Sequence, residues 1–376
     1  MHIVVNTRLL LPKKLDGIGW FSHEVLSRLT KDLSDWKFTF LFDRPFDQDF
    51  IYGNNVEGKI LHPQTRHPLL YQWYFERTIP HKLKRMNADL FFSPDGFLST
   101  RARIKQVPVI HDINFEHRPQ NLPRAYSNYY RKYFPQFAQI ADRIITVSEY
   151  SANDIHETYG IAKDKISVAY NGYNTAYRVL SDSEKAKAKT EFAQGADYFI
   201  FVGNFSFRKN IHGIIKAFEK YRSKGGSGKL LLVGNPLWRY TEMNEALKNC
   251  AFQDDVIFTG RLEIEKLVLA MGGATALLFP SYFEGFGIPI IEAFAAGVPV
   301  ITSNKTSLPE IAGNAAMISD PDNIEKISDN MLEIYRDENQ RLILKNEGLQ
   351  RISSFSWEHT TNKVKEALFL SLNLTK

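Results

Sequence analysis

The chain has 376 residues, too many for one compact core and suited to two domains. Apolar residues make up 44% and charged residues 24%, ordinary for a soluble globular protein, and no run is long and apolar enough to span a bilayer. The one cysteine, Cys250, excludes an intramolecular disulfide and suits a reducing compartment, and Cys/His clusters with metal-ligand spacing are absent, so no metal site is expected.

The net charge of +5 belongs to the first half. Residues 1–175 hold 23 Lys and Arg against 18 Asp and Glu, residues 176–376 hold 24 against 24, and within 66–143 the ratio is 13 to 6. The opening Met1-His-Ile-Val-Val-Asn6 reads as a strand. It lacks the basic and long apolar regions of a signal peptide, so a cytoplasmic protein is expected. Asp16-Gly17-Ile18-Gly19 follows, and Trp20 to Leu29 has helical spacing. Lys37 to Phe42 reads as a second strand. Arg66 to Met86 mixes aromatics with Arg and Lys at helical spacing. We read it as a core-facing helix with a solvated basic face, broken by Pro68 and Pro80, in preference to a surface lying on anionic lipid.

Asp89–Phe92 and Val107–Ile110 are two short buried strands, the second ending in His111-Asp112, where a histidine can bond or exchange a proton near neutral pH. Residues 118–143 are rich in Arg, Tyr, Phe and Pro and lead by a helix to a strand at Arg143–Val147. No nucleic-acid motif accompanies them, so nucleic acid is not expected as a partner. Ser148 caps a helix through Tyr159, Ile166–Ala169 is a strand, and Asn171-Gly172 is a turn. Residues 173–197 are polar and read as the interdomain connection with a surface helix.

A fresh α/β alternation starts with the strand Tyr198–Val202. Gly203-Asn204-Phe-Ser-Phe-Arg208-Lys209-Asn210 then places two cations at a strand end before a helix from Ile211, an arrangement suited to a diphosphate. Leu230–Val233 ends in Gly234-Asn-Pro, and Val256–Thr259 in Gly260-Arg261-Leu262. Residues 275–301 are the most informative. An apolar strand to Phe279 is followed by the loop Pro280-Ser-Tyr-Phe-Glu284-Gly285-Phe286-Gly287, a helix with Pro289 in its first turn, and a stop at Gly297. Glycines before a helix start let backbone amides approach an anion. Glu284 and Glu292, separated by seven residues, cannot bind the phosphate itself and would accept hydrogen bonds from hydroxyls.

Pro280-Ser-x-x-Glu284-Gly-Phe-Gly-x-Pro-x-x-Glu292-Ala with Ala296-Gly-Val-Pro-Val-Ile301 resembles the signature of retaining glycosyltransferases of the GT-B fold, glycosyltransferase family 4. The resemblance implies an α/β chain of two Rossmann-like parallel-sheet domains facing across a cleft: residues 1–175 on the acceptor side, 176–355 binding the nucleotide sugar, and a C-terminal helix, 356–376, crossing back to the first domain. It implies a catalytic set of His111, Glu284, Lys209 and Arg208. Donor contacts would come from Gly17, Gly19, Gly203, Asn204, Arg261, Leu262, Phe286, Gly287, Ile288 and Glu292, with Glu292 on the ribose. Asp16, Lys13 and His117 would serve the acceptor. Many members of that family carry Arg directly after the glycine, where this chain has Asn204; Arg208 would supply that cation.

The implied reaction moves a sugar from a nucleotide diphosphate, GDP-mannose or a UDP-sugar, to a hydroxyl of a glycan or polyprenyl-linked acceptor in bacterial-type surface polysaccharide synthesis. No cofactor or metal is expected, since the leaving diphosphate is met by fixed positive charge. The basic first half suits peripheral contact with an anionic membrane at its inner face. Two other classes remain open: a nucleotide-sugar epimerase of GT-B architecture, acting on the donor alone, and a non-catalytic nucleotide-sugar-binding protein.

Overall fold

A computed structural model of the chain describes residues 1–12, 15–236 and 240–374. It contains two compact units, Met1–Gly172 with Ser356–Lys376, and Tyr173–Phe355.

The first unit holds the strands β1 (His2–Asn6), β2 (Lys37–Phe42), β3 (Val56–Ile60), β4 (Leu90–Ser93) and β5 (Lys105–Pro108), paired in parallel in the order β3-β2-β1-β4-β5. β6 (Ile144–Thr146) and β7 (Ile166–Val168) pair with each other, and a bridge from Val109 to Ile145 joins them to the β5 side. The run Ile3-Val-Val5 is fully buried, as expected of a central parallel strand covered on both faces. β3 carries Glu57, Gly58 and Lys59, an edge composition without apolar alternation, which is why the sequence pattern passes over it. The helix Gly17–Asp32 buries Phe21, Val25, Leu26 and Leu29 on one stripe. The C-terminal helix Trp357–Ser371 lies in this unit. It packs against that helix, with Trp36 stacked on Phe369 at 5.3 Å and Lys365 bonded to Asp32 at 2.9 Å.

The two prolines do not break the segment after residue 66. Pro68–Trp73 is α-helical, Tyr74–Thr78 is a π-turn, and Ile79–Arg85 is α-helical again. Pro68 sits in the first turn, where its missing N–H costs nothing, and the π-turn shifts the hydrogen-bond ladder just ahead of Pro80, which has no N–H to give. Pro68, Tyr71, Tyr74, Phe75, Ile79 and Leu83 face the core. Glu76 is also buried and accepts from the backbone N–H and hydroxyl of Thr100 at 3.0 and 2.6 Å.

The second unit is a six-stranded parallel sheet of β8 (Tyr198–Val202), β9 (Lys229–Val233), β10 (Val256–Gly260), β11 (Ala276–Phe279), β12 (Val300–Ser303) and β13 (Ala316–Ser319), in the order β10-β9-β8-β11-β12-β13. This is the doubly wound order, reversing between β8 and β11, and ligands of such sheets bind at the strand carboxyl ends beside that reversal. The stretch expected to connect the domains is part of this unit: the helix Asp182–Ala193 buries Ala188 and Ala193, and Gly273 packs on Ala188. No helix among the described residues is long and apolar enough to cross a membrane.

Candidate functional site

In the second unit the loops after β8 and β11 meet. Asn210, in the left-handed conformation at φ 57°, caps the helix Ile211–Ser223 by accepting from the Gly213 N–H at 3.1 Å. Its amide donates to the carbonyls of Pro280 at 3.2 Å and Pro321 at 2.8 Å, so one buried side chain ties three loops together. The Tyr282 N–H donates to the Arg208 carbonyl at 2.8 Å, completing the join.

That join brings three predicted catalytic side chains into contact. Lys209 Nζ lies 2.5 Å from Glu284 Oε1, and Arg208 Nη1 lies 2.8 Å from Glu284 Oε2. Lys209 is 7% and Glu284 6% exposed. Lys209 Nζ also stands 4.6 Å over the Phe279 ring, and Arg208 donates to the Phe283 carbonyl at 2.6 Å. Burial alone would raise the Glu284 pKa, but the two cations outweigh it and hold the carboxyl below its ordinary value. Glu284 is therefore an anion at neutral pH, set between two cations with little water around it.

The loop bearing Glu284 is fixed from behind. The Glu284 N–H donates to Thr306 Oγ1 at 3.0 Å, and the buried Ser307 hydroxyl lies 2.9 Å from both the Glu284 and Phe286 carbonyls. Gly287 caps the helix Ile288–Ala295 at φ 112°, and a Cβ there would stand 2.9 Å from the Leu308 side chain. Phe286 is buried, edge-on to Phe355 at 5.8 Å. Glu292 lies on that helix, and burial raises its pKa to about 8, opposed by the nearby Tyr177 hydroxyl. Tyr177, 3% exposed, comes from the stretch read as a connection, and nothing in its surrounding sequence marks it as a site residue.

The remaining donor-side candidates of this unit cluster at strand ends. Gly203 follows β8, and Asn204 accepts from the Ser206 hydroxyl at 3.3 Å. Gly234 approaches so closely that a Cβ on it would lie 1.9 Å from the Gly203 carbonyl oxygen. Its N–H donates at 2.9 Å to Gly260, the residue before Arg261 and Leu262. Arg261 is exposed and Leu262 half-buried.

The first unit assembles a second group. His111 Nε2 lies 2.8 Å from the Pro94 carbonyl, which can only accept, so Nε2 donates and in the neutral ring Nδ1 is the acceptor. Burial lowers its pKa, against the Pro94 carbonyl and the carboxylates of Asp112, Asp95 and Asp16, which all raise it. The ring meets Phe21 edge-on at 5.0 Å. Asp16 is the cap of the helix Gly17–Asp32 and accepts from the Gly19 N–H at 2.9 Å. Gly17 and Gly19 are therefore the first turn of that helix; Gly17 is exposed, while Gly19 packs against the Leu9 carbonyl. His117 pairs with Asp154 at 2.7 Å. Lys13 lies outside the described residues. Among the described residues, no group of three or more His, Cys, Asp or Glu is placed to hold a metal ion.

The sequence profile described as Glycosyl transferases group 1 matches residues 182–351, and that described as Glycosyltransferase Family 4 matches residues 16–177. The chain is 28% identical over 367 residues to O-antigen chain mannosyltransferase B of Escherichia coli, covering 94% of this chain and 96% of that one. O-antigen chain mannosyltransferase RfbU of Salmonella typhimurium is 31% identical over 219 residues, 58% of this chain and 57% of the relative. Sucrose-phosphate synthase from Thermosynechococcus elongatus shares the fold with a TM-score of 0.79 at 17% identity, over 99% of both chains. Anabaena HepE in complex with UDP-glucose does so at 0.75 and 17% identity, over 98% of this chain and 99% of that one.

Proposed function

Because the chain belongs to the GT-B glycosyltransferases, with a family 4 domain followed by a group 1 domain, we propose that it moves a sugar from a nucleotide diphosphate to a hydroxyl of a glycan or polyprenyl-linked acceptor. The observation that carries the site assignment is Glu284 held between Lys209 and Arg208 at the end of β11.

In the reaction, the bond from the anomeric carbon to the diphosphate oxygen breaks, and a bond to the acceptor oxygen forms on the same face, with retention. The acceptor proton passes to the leaving diphosphate. Lys209 and Arg208 supply the fixed positive charge that the departing oxygens need, without a metal ion. Glu284 orients the sugar through its hydroxyls, His111 serves the transferred sugar as a hydrogen-bonding group, and Glu292 accepts from the ribose. The amides of Phe286 and Gly287 and the turns at Gly17, Gly19 and Gly203 approach the diphosphate, while Arg261 and Leu262 border the base. Asp16 and His117 belong to the acceptor side.

The mannosyltransferase names of the relatives and the Arg208-Lys209-Asn210 sequence favour GDP-mannose over a UDP-sugar. The relatives' O-antigen names favour surface polysaccharide synthesis, carried out at the cytoplasmic face of a membrane. Thermal shift against GDP, UDP and their sugars tests the donor: GDP-mannose should give the largest stabilisation, and a larger shift with a UDP-sugar reverses the assignment. Product analysis with donor alone tests the reaction class, since an epimer formed without acceptor means an epimerase instead.

A further inference from the structure

The helical segment that the two prolines leave intact presents an unusual outer face. Leu69 is 70% exposed, Trp73 60% and Leu70 37%. At about 100° per residue these three fall within an arc of roughly 100°, opposite the stripe formed by Tyr71, Tyr74 and Phe75. The Arg77 guanidinium lies 5.9 Å over the Trp73 ring, one turn further on. Residues 66–85 hold five Lys and Arg and one acid. That acid is Glu76, turned inward and bonded to Thr100, so it does not offset the charge outside.

We propose that this face docks on an anionic lipid bilayer, with Leu69, Leu70 and Trp73 entering the headgroup boundary and Arg66, Arg77 and Lys84 facing acidic headgroups. The chemistry favours lipid over a protein partner. Two leucines and one indole are a small anchor for a protein interface of about 800 Å² per side. They suffice for interfacial binding when nearby cations add their attraction to an anionic surface. An indole also settles at the level of the headgroups. The inference extends the reading of a membrane-borne acceptor, but vesicle binding is measured without donor or acceptor, so either can fail alone.

The test uses the full chain and vesicles of roughly equal phosphatidylglycerol and phosphatidylcholine, with pure phosphatidylcholine as comparison. Wild type should co-sediment with the anionic vesicles only, and high salt should release it. The double variant Leu69→Glu/Trp73→Glu should bind at least about tenfold more weakly while keeping its melting temperature and its donor-induced thermal shift. Trp73→Phe should abolish the blue shift of tryptophan fluorescence on vesicle addition. Failure of wild type to bind anionic vesicles, or equal binding by the double variant, overturns the proposal. A wild-type dimer that the double variant dissociates also overturns it, by assigning the face to a second copy of the chain.

Discussion

Lys209 Nζ and Glu284 Oε1 stand 2.5 Å apart, both side chains being almost wholly buried. A pair of this kind is costly to break from one side, because the survivor is left charged and desolvated. Lys209→Ala should therefore lose about 3 kcal/mol of stability, as well as turnover by at least about 100-fold. The double variant Lys209→Met/Glu284→Gln separates the two effects. Denaturant unfolding should show most of the stability restored, while transfer activity stays lost. Recovery of activity with stability would refute the role of Lys209 at the diphosphate.

Glu292 leads to a prediction about pH. Its pKa is raised by burial to about 8. A nucleotide whose ribose hydroxyls donate to the carboxylate favours the ionised form, so binding releases a proton below pH 8. Affinity should climb from pH 6 to 8 and level off above. Titration calorimetry in buffers of different ionisation enthalpy measures the proton count, and proton uptake would contradict the assignment. The sign for folding is the opposite. A raised carboxyl pKa stabilises the folded chain below pH 4.5, and that contribution is lost as the pH rises through 8, so Glu292→Gln should raise the melting temperature most at alkaline pH.

Tyr177→Phe removes the nearby hydroxyl that opposes the rise of the Glu292 pKa. The pH midpoint of nucleotide affinity should move upward, and affinity at pH 7 should fall by roughly tenfold per pH unit of that rise. An unchanged midpoint would leave Tyr177 a packing residue only.

Asp16 has two candidate roles that one pair of substitutions distinguishes. Asp16→Ala should cost about 1 kcal/mol through loss of the helix cap, whereas Asp16→Asn still caps and should be near neutral. If Asp16 also meets the acceptor, both variants raise the acceptor KM; a rise in the alanine variant alone means that the carboxylate is only a cap.

Gly234→Ala should lose at least about 2 kcal/mol, since its Cβ would overlap the Gly203 carbonyl and its φ of 140° suits glycine. The nucleotide-induced thermal shift should fall with it, because that contact sets the loop carrying Asn204 and Lys209.

Local pattern carried much of this. The strand–loop–helix units around Lys209 and Glu284 were legible because each is a continuous apolar run ending in glycines and a capping residue. Their mutual contact was not, because it depends on Asn210, Thr306 and Ser307 bonding across loops more than twenty residues apart. Tyr177 was invisible for the same reason: its neighbours in sequence are polar and unpatterned, and its partner is over a hundred residues away. β3 escaped because Gly58 leaves room for the Phe46 ring and its neighbours are charged, giving an edge strand no alternating signature. Pro80 misled, since a proline inside a helical pattern ordinarily ends it; a π-turn just before it offered a way through.

That turn also sets a phase. Deleting one residue from Tyr74–Thr78 would wind the segment back to a uniform α pitch and rotate everything before it by roughly 100° against Ile79 and Leu83. Trp73 would swing toward the interior and Tyr71 toward solvent. The additional residue acts as a spacer that decides which side chains the outside of the molecule sees, and a chain lacking it could keep the same helix yet lose its outer face.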